Sequence, residues 1–288
     1  MNPRIGGALV GSALVLVGAV APASAQLVAA KDGPVVYGHH HLTVTSVEAH
    51  KKFWVDGLGG TAAKLGTNDA VKFTNVIVLF RQGTPTGGSK GTSVNHIGFG
   101  VPNIRVALDR IKAAGFPAIT RAELPTTQEV KDDLAFISNQ NTSIAYVMAP
   151  DDVKVELVEV KAQTTPMAMH HVHYYTQQVD PMKAWYVQML GAKGGMRGSF
   201  QAADLPGVNL TFSPSPEAVV ATRGRSLDHA GFEVKDLEAF CKKLEGAGVK
   251  FDRPYARVAA LGIAVAFFTD PFGTYVELTE GLDGAVKD

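Results

Sequence analysis

The chain has 288 residues, 27 basic and 27 acidic side chains, a formal net charge of +0 and a hydrophobic fraction of 46%. That balance, with no dense Lys/Arg block, excludes the electrostatic footprint of a nucleic-acid-binding protein. The single cysteine, Cys241, excludes an intramolecular disulfide, so stability rests on packing and on any bound metal.

In chain order, Arg4 gives a positive start, Ile5 to Ala21 are apolar or small, and Ala23-Ser24-Ala25 precede Gln26. This is a signal-peptide pattern over 1–25. Its apolar run is rich in Gly and Ala and short for a spanning helix, and no Cys follows it to carry a lipid. The expected mature chain is periplasmic or secreted, without membrane association after cleavage, and long enough for two ordinary domains.

Next comes an internal repeat. His39-His40-His41-Leu42-Thr43-Val44, Phe53-Trp54 and Leu58-Gly59 align without a gap on His171-Val172-His173-Tyr174-Tyr175-Thr176, Trp185-Tyr186 and Leu190-Gly191, all at an offset of 132 residues. Each unit reads as a strand and then a helix, with start signals at Ser46 and at Asp180-Pro181. Gly59 and Gly191 stand where a left-handed residue closes a helix. Val71 to Arg81 is strand-like and ends at Gln82-Gly83.

Two further units begin at Asn95-His96-Ile97-Gly98-Phe99 and Asp228-His229-Ala230-Gly231-Phe232. An amphipathic helix follows each: Ile104, Leu108 and Ile111 up to Gly115, and Leu237, Phe240 and Leu244 up to Gly246 to Gly248. Cys241 shares the apolar side of the second and reads as a core thiol. Both units finish on a strand with a carboxylate among apolar residues, Val155-Glu156-Leu157 and Val276-Glu277-Leu278. His96 to Glu156 spans 60 positions and His229 to Glu277 spans 48, which places about twelve extra residues around Pro125 to Asp133.

The aperiodic segment 161–169, KAQTTPMAM, divides the four modules into two sequence-contiguous pairs, a first domain over 36–160 and a second over 170–281. Alternation along a strand puts His39, His41 and Thr43 on one face and His40, Leu42 and Val44 on the helix-covered face, leaving the first face for a cavity. The same rule places His171, His173 and Tyr175 together. His39, His96, His171 and His229 each open the first strand of a module, and Glu156 and Glu277 each sit on a closing strand. Two neutral imidazoles and a carboxylate suit Fe(II), Mn(II), Zn(II), Ni(II) or Co(II), with positions open for water and substrate. His41 and His173, on the ligand face, are candidates for outer donors, acid/base groups, extra ligands or polar cavity lining. His40 and His170 read as structural.

With these motifs in place the sequence resembles the vicinal oxygen chelate superfamily, which groups glyoxalase I, bleomycin-resistance proteins, fosfomycin-resistance enzymes and type I extradiol dioxygenases. The resemblance runs from about Tyr37 to about Glu280 and includes the closing Asp270-Pro271-Phe272-Gly273-Thr274-Tyr275-Val276-Glu277. It implies an α+β fold of four βαβββ modules paired into two glyoxalase-like half-open barrel domains. It implies ligands His171, His229 and Glu277 in the second domain and His39, His96 and Glu156 in the first, and chelation of substrate through adjacent oxygens.

Several family features are missing. The Tyr that extradiol enzymes place before the Asp-Pro turn is Phe267 here, although Tyr146 fills that position in the first domain. Neither Val258-Ala259-Ala260 nor Ile137-Ser138-Asn139 supplies their His. Glyoxalase I's additional carboxylate is absent from Val76 to Arg81 and from Val208 to Phe212, which leaves His41 or His173 as the substitute base. The expected function is an exported metal-dependent lyase or isomerase on a small oxygenated metabolite. The alternatives are a ring-cleaving dioxygenase and a non-catalytic small-molecule binder. The partners expected are a small-molecule substrate and no nucleic acid, in a monomer or homodimer.

Overall fold

The computed structural model describes residues 33–288; the expected signal peptide over 1–25 lies outside them. Module one contains β1 (Val35–Val44), α1 (Val47–Lys51), β2 (Thr61–Leu65), β3 (Asn68–Phe73) and β4 (Val76–Gln82). Module two contains β5 (Val94–Val101), α2 (Ile104–Ala113), α3 (Thr120–Glu123), β6 (Ala135–Ile137), β7 (Thr142–Ala149) and β8 (Val153–Glu159). Module three contains β9 (Ala168–Thr176), α4 (Val179–Leu190), β10 (Lys193–Arg197), β11 (Phe200–Leu205) and β12 (Val208–Pro214). Module four contains β13 (Leu227–Val234), α5 (Leu237–Gly246), β14 (Phe251–Val258), β15 (Ile263–Thr269) and β16 (Tyr275–Glu280). A closing segment adds α6 (Leu282–Ala285) and β17 (Val286–Lys287).

Local chemistry accounts for most boundaries. The side chains of Ser46, Asn103 and Asp236 accept bonds from the N–H groups of Ala49, Val106 and Ala239, capping α1, α2 and α5. Gly191 takes the left-handed conformation directly after α4, and Gly59 does so two residues beyond the π-helical turn Lys52–Gly57 that continues α1. At α4 the cap position is Gln178, and Asp180 and Pro181 fall inside the first turn. Pro181 is tolerated there because the first four N–H groups of a helix have no intrahelical partner. Val71 to Arg81 is a hairpin turning at Thr74-Asn75, with Asn75 bonded to both N–H and C=O of Met169. The expected linker therefore ends before Ala168, where β9 begins.

The α+β fold is two curled sheets. One runs β14-β15-β16-β13-β1-β4-β3-β2-β17 and the other β10-β11-β12-β9-β5-β8-β7-β6. Within a module the first strand lies parallel to the last, as β1 with β4 and β5 with β8. Between modules the opening strands pair antiparallel, β1 with β13 and β5 with β9. Each sheet thus joins one module from each half of the chain, and the expected sequence-contiguous pairing of modules is corrected. What neighbouring modules share is the core between the sheets. Trp54 of module one packs on Phe99 of β5, Phe53 on Phe116, and Arg110 of α2 donates to the carbonyls of Asp56 and Val55.

The Asp-Pro turn before β16 holds one strained ionisation. Asp270, buried, accepts from the N–H groups of Phe272 (2.9 Å) and Thr274 (2.7 Å) and from the Tyr186 hydroxyl (2.9 Å). Burial still pushes its pKa from 3.8 up to about 6. A carboxyl that binds its proton more tightly in the folded state contributes stability at low pH, which is lost as pH rises through the folded value. The contribution is about 3 kcal/mol at about 1.4 kcal/mol per pH unit. Urea denaturation from pH 4 to 7 is expected to show the native protein losing up to that amount relative to Asp270→Asn; parallel pH profiles would contradict it.

Candidate metal centres

The sheet pairing gathers the candidate ligands into two clusters, His39, His41, His229 and Glu277, and His96, Glu156, His171 and His173. In each, one donor atom per residue lies within 4.8 Å of the others. All six residues proposed as ligands from sequence are present, but their grouping is exchanged. His39 sits with His229 and Glu277, and His171 sits with His96 and Glu156, because β1 pairs with β13 and β9 with β5.

In the first cluster the Nε2 atoms of His39 and His229 lie 2.9 and 2.8 Å from one oxygen, Glu277 Oε2. The Asp228 carboxylate lies 2.6 Å from His229 Nδ1 and is itself held by the Gly224 N–H and by Arg81 at 3.2 Å. Burial disfavours the charged imidazole of His229, but Asp228 and Glu277 outweigh it and raise the pKa. Burial would likewise raise Glu277; His39 and His229 hold it well below the usual carboxylate range. His41 is lowered to about 3 by burial and by His229, whose ring centroid is 4.6 Å away.

The second cluster repeats this geometry. His96 Nε2 and His171 Nε2 lie 2.9 and 3.2 Å from Glu156 Oε2 and 3.4 Å from each other. His96 Nδ1 is held by Asn95 Oδ1 at 2.9 Å, an amide where the first cluster has a carboxylate. His173 Nε2 lies 2.7 Å from Ser213 Oγ, and burial with His96 and His171 nearby depresses its pKa well below the ordinary value. Tyr146 lies directly across from Glu156 in the β7–β8 register, edge-on to His96, as Phe267 lies across from Glu277. Burial and Glu156 push the Tyr146 phenol well above 10, so it keeps its proton.

Both donor sets fit a divalent ion. Metal–nitrogen bonds of about 2.1 Å at tetrahedral angles put ligand nitrogens about 3.4 Å apart, the separation found between His96 and His171. His39 Nδ1 and His41 Nδ1 are buried with no hydrogen-bond partner, an expensive condition that ligation would relieve for one nitrogen of His41. The partners on His229 and His96 are the outer contacts that orient metal-bound imidazoles.

Sequence reasoning missed two glycines. A Cβ on Gly231 would stand 2.0 Å from the His39 ring, and one on Gly98 would stand 2.1 Å from the His171 ring. Each glycine lies two residues beyond a ligand histidine, on the same face, and leaves the space the partner strand's imidazole fills. The His-x-Gly spacing was the available signal. His170, read as structural, in fact lies 2.9 Å from His171 Nδ1. His40 is buried against Tyr37 and Met169 in agreement with that reading.

The clusters differ in what covers them. Beside His39 and His41 in the parallel register stand Ile77 and Leu79. These pack with Leu65, Leu282 and Val286 of the closing segment, so the concave face of module one is filled. The corresponding residues of module three, Asn209 and Thr211, face an open space. A cavity of about 110 Å³ reaches Glu156, His171 and His173 and is bounded by Tyr146, Thr211, Arg197, Phe200, Leu124 and Ile137. Leu124 and Ile137, which flank the extra residues of module two, form part of its wall.

Residues 168–278 match the family model described as Glyoxalase/Bleomycin resistance protein/Dioxygenase superfamily. Among curated proteins none matches the chain. Glyoxalase I from Zea mays aligns at a TM-score of 0.65 and 17% identity over 87% of this chain and 94% of that one. A putative dioxygenase from Bacillus subtilis subsp. subtilis str. 168 aligns at 0.59 and 13% identity over 85% and 84%. Those likenesses speak for the fold, and the sequence match for the family. The chain as a whole thus has the fold of these structures, and residues 168–278 carry the sequence pattern of the Glyoxalase/Bleomycin resistance protein/Dioxygenase superfamily.

Proposed function

We propose that the protein is an exported divalent-metal-dependent lyase or isomerase for a small oxygenated metabolite, and that its chemistry belongs to the His96, Glu156, His171 and His173 cluster. The observation that carries this is the cavity ending on Glu156, His171 and His173 of that cluster. Export rests on the signal-peptide pattern over 1–25. All donors of each cluster come from one chain, so the proposal requires no partner subunit.

Held by His96, His171 and Glu156, a divalent ion would supply Lewis-acid polarisation of a chelated carbonyl. The protein's own contribution is proton handling in a largely apolar space. His173 faces the cavity and is held by Ser213, which places it to take a proton from the carbon next to a carbonyl; burial leaves it unprotonated at rest, as a weaker base than a free imidazole. Tyr146 remains protonated and can donate a hydrogen bond to a developing oxyanion. Leu124, Ile137, Ile144 and Phe200 exclude water from the substrate body. His41, the equivalent residue in the first cluster, lies on the filled side and is assigned no step.

A second reading, ring-cleaving oxygenation, is favoured by Tyr146 at the extradiol Tyr position; oxygen uptake with catechols and Fe(II) separates it from the first. For the metal assignment, mass-spectrometric metal analysis of the purified protein is expected to give two equivalents. His171→Ala and Glu156→Gln should each remove one and lower turnover by about 100-fold or more. His229→Ala should remove the other and leave turnover. Unchanged metal content in His171→Ala would refute the second centre.

A further inference from the structure

Arg197 closes β10 at the rim of the cavity, where the guanidinium lies against His170. Its Nη1 and Nη2 stand 2.9 Å from His170 Nδ1 and Nε2 respectively. At most two of the five guanidinium N–H groups are engaged on His170, which leaves three, the Nε–H among them, for another acceptor. Among the described residues no carboxylate forms an ion pair with Arg197, although it is largely buried and lines both the cavity and an adjoining cleft beside Asn141, Glu159 and Asn209.

The internal repeat shows that the fold does not need a cation there. At the offset of 132 the equivalent of Arg197 is Leu65, which pairs with Val286 under the closing segment. One copy of the position is apolar and covered; the other is cationic and open to the cavity. A planar fork with free donors beside a metal-ligand set fits a planar oxyanion, which guanidinium binds through two parallel hydrogen bonds.

We infer that Arg197 anchors a carboxylate of the substrate. The substrate class is then a small acid that offers two adjacent oxygens for chelation and a separate carboxylate for Arg197. This inference rests on the metal-dependent reading of the same cavity. It makes Arg197 a specificity-determining residue, with His170 positioning both Arg197 and His171.

Malate and lactate test it, since both chelate through a 2-hydroxycarboxylate and only malate carries a second carboxylate. Calorimetric titration of the Mn(II)-loaded protein is expected to show malate binding at least about ten-fold more tightly than lactate. Arg197→Gln should reduce malate to the level of lactate, leave lactate unchanged and retain both metal equivalents. Arg197→Lys, which keeps the charge without the fork, should fall between. A merely structural Arg197 would instead weaken both acids together through loss of His171 and its metal, and that result overturns the inference. So do equal affinities, or no binding of either acid, in protein shown to hold metal at His171. Failure to load metal at all strikes the functional reading rather than the role of Arg197.

Discussion

Gly98→Ala is expected to abolish turnover, by about 100-fold or more, and to cost one metal equivalent, whereas Gly231→Ala loses the other equivalent and keeps turnover. The added methyl of Gly98→Ala lands 2.1 Å from a ring carbon of His171, and His171 is packed in the sheet, so its imidazole must leave the ligand position. Gly231→Ala does the same to His39. Neither change adds or removes a polar atom, so the effect reports the space each imidazole needs. Metal analysis paired with turnover on both variants checks it. If Gly231→Ala removed turnover and Gly98→Ala did not, the chemistry would belong to the other cluster. The pair also tests the sheet pairing, because sequence-contiguous domains would set Gly98 against His39 instead of His171.

That last point explains what the sequence could not reveal. The modules, their helices and the ligand types were legible because the repeat at 132 residues superimposes strand on strand, and because alternation puts His39 with His41 and His171 with His173 on one face. Which modules share a sheet was not legible from the histidines. His96-Ile97-Gly98 and His229-Ala230-Gly231 present the same shape to a neighbouring strand, so β1 could accept either. One pair of residues does discriminate. Asp228 is buried and bonds Arg81, and their repeat counterparts are Asn95 and Ser213. In the observed pairing the charges meet and the neutral residues face the other site. Exchanging partners would set Arg81 near Asn95 and leave buried Asp228 beside Ser213, at the cost of an unpaired buried charge.

The covering of the two clusters was illegible for a different reason. Ile77, Leu79 and Leu65 read as ordinary strand residues, and Leu282 and Val286 form too short a pattern to register as an element. Their meeting depends on the curl of the sheet, which brings the chain after β16 back across β2. Arg197 was hidden in the same way, as a charged residue ending an edge strand after Gly194-Gly195, where solvent exposure is the ordinary expectation.

Leu282→Ala is expected to lower the unfolding free energy by about 3 kcal/mol, in the range for emptying a buried leucine site. Leu282 is fully buried against Ile77, Leu79 and Leu65, and the chain enters this contact from a fixed point, with the N–H groups of Gly281 and Leu282 donating to the Glu233 carboxylate. Beyond it, Val286 pairs with Leu65, and Asp288 lies 3.1 Å from Lys72. The surface pair is worth little, so the apolar contact dominates. Removing Leu282–Asp288 should expose the face beside His39 and His41 while leaving the other sheet untouched. Chelator-driven metal release would then accelerate for one equivalent only, with the His171 ion released at its native rate. If both ions left faster, the segment would be stabilising the whole molecule; if neither did, it would not be what closes the first centre. The selective outcome would mark the cluster between β1 and β13 as the one the closing segment seals, and its twin between β5 and β9 as the one reached from the cavity.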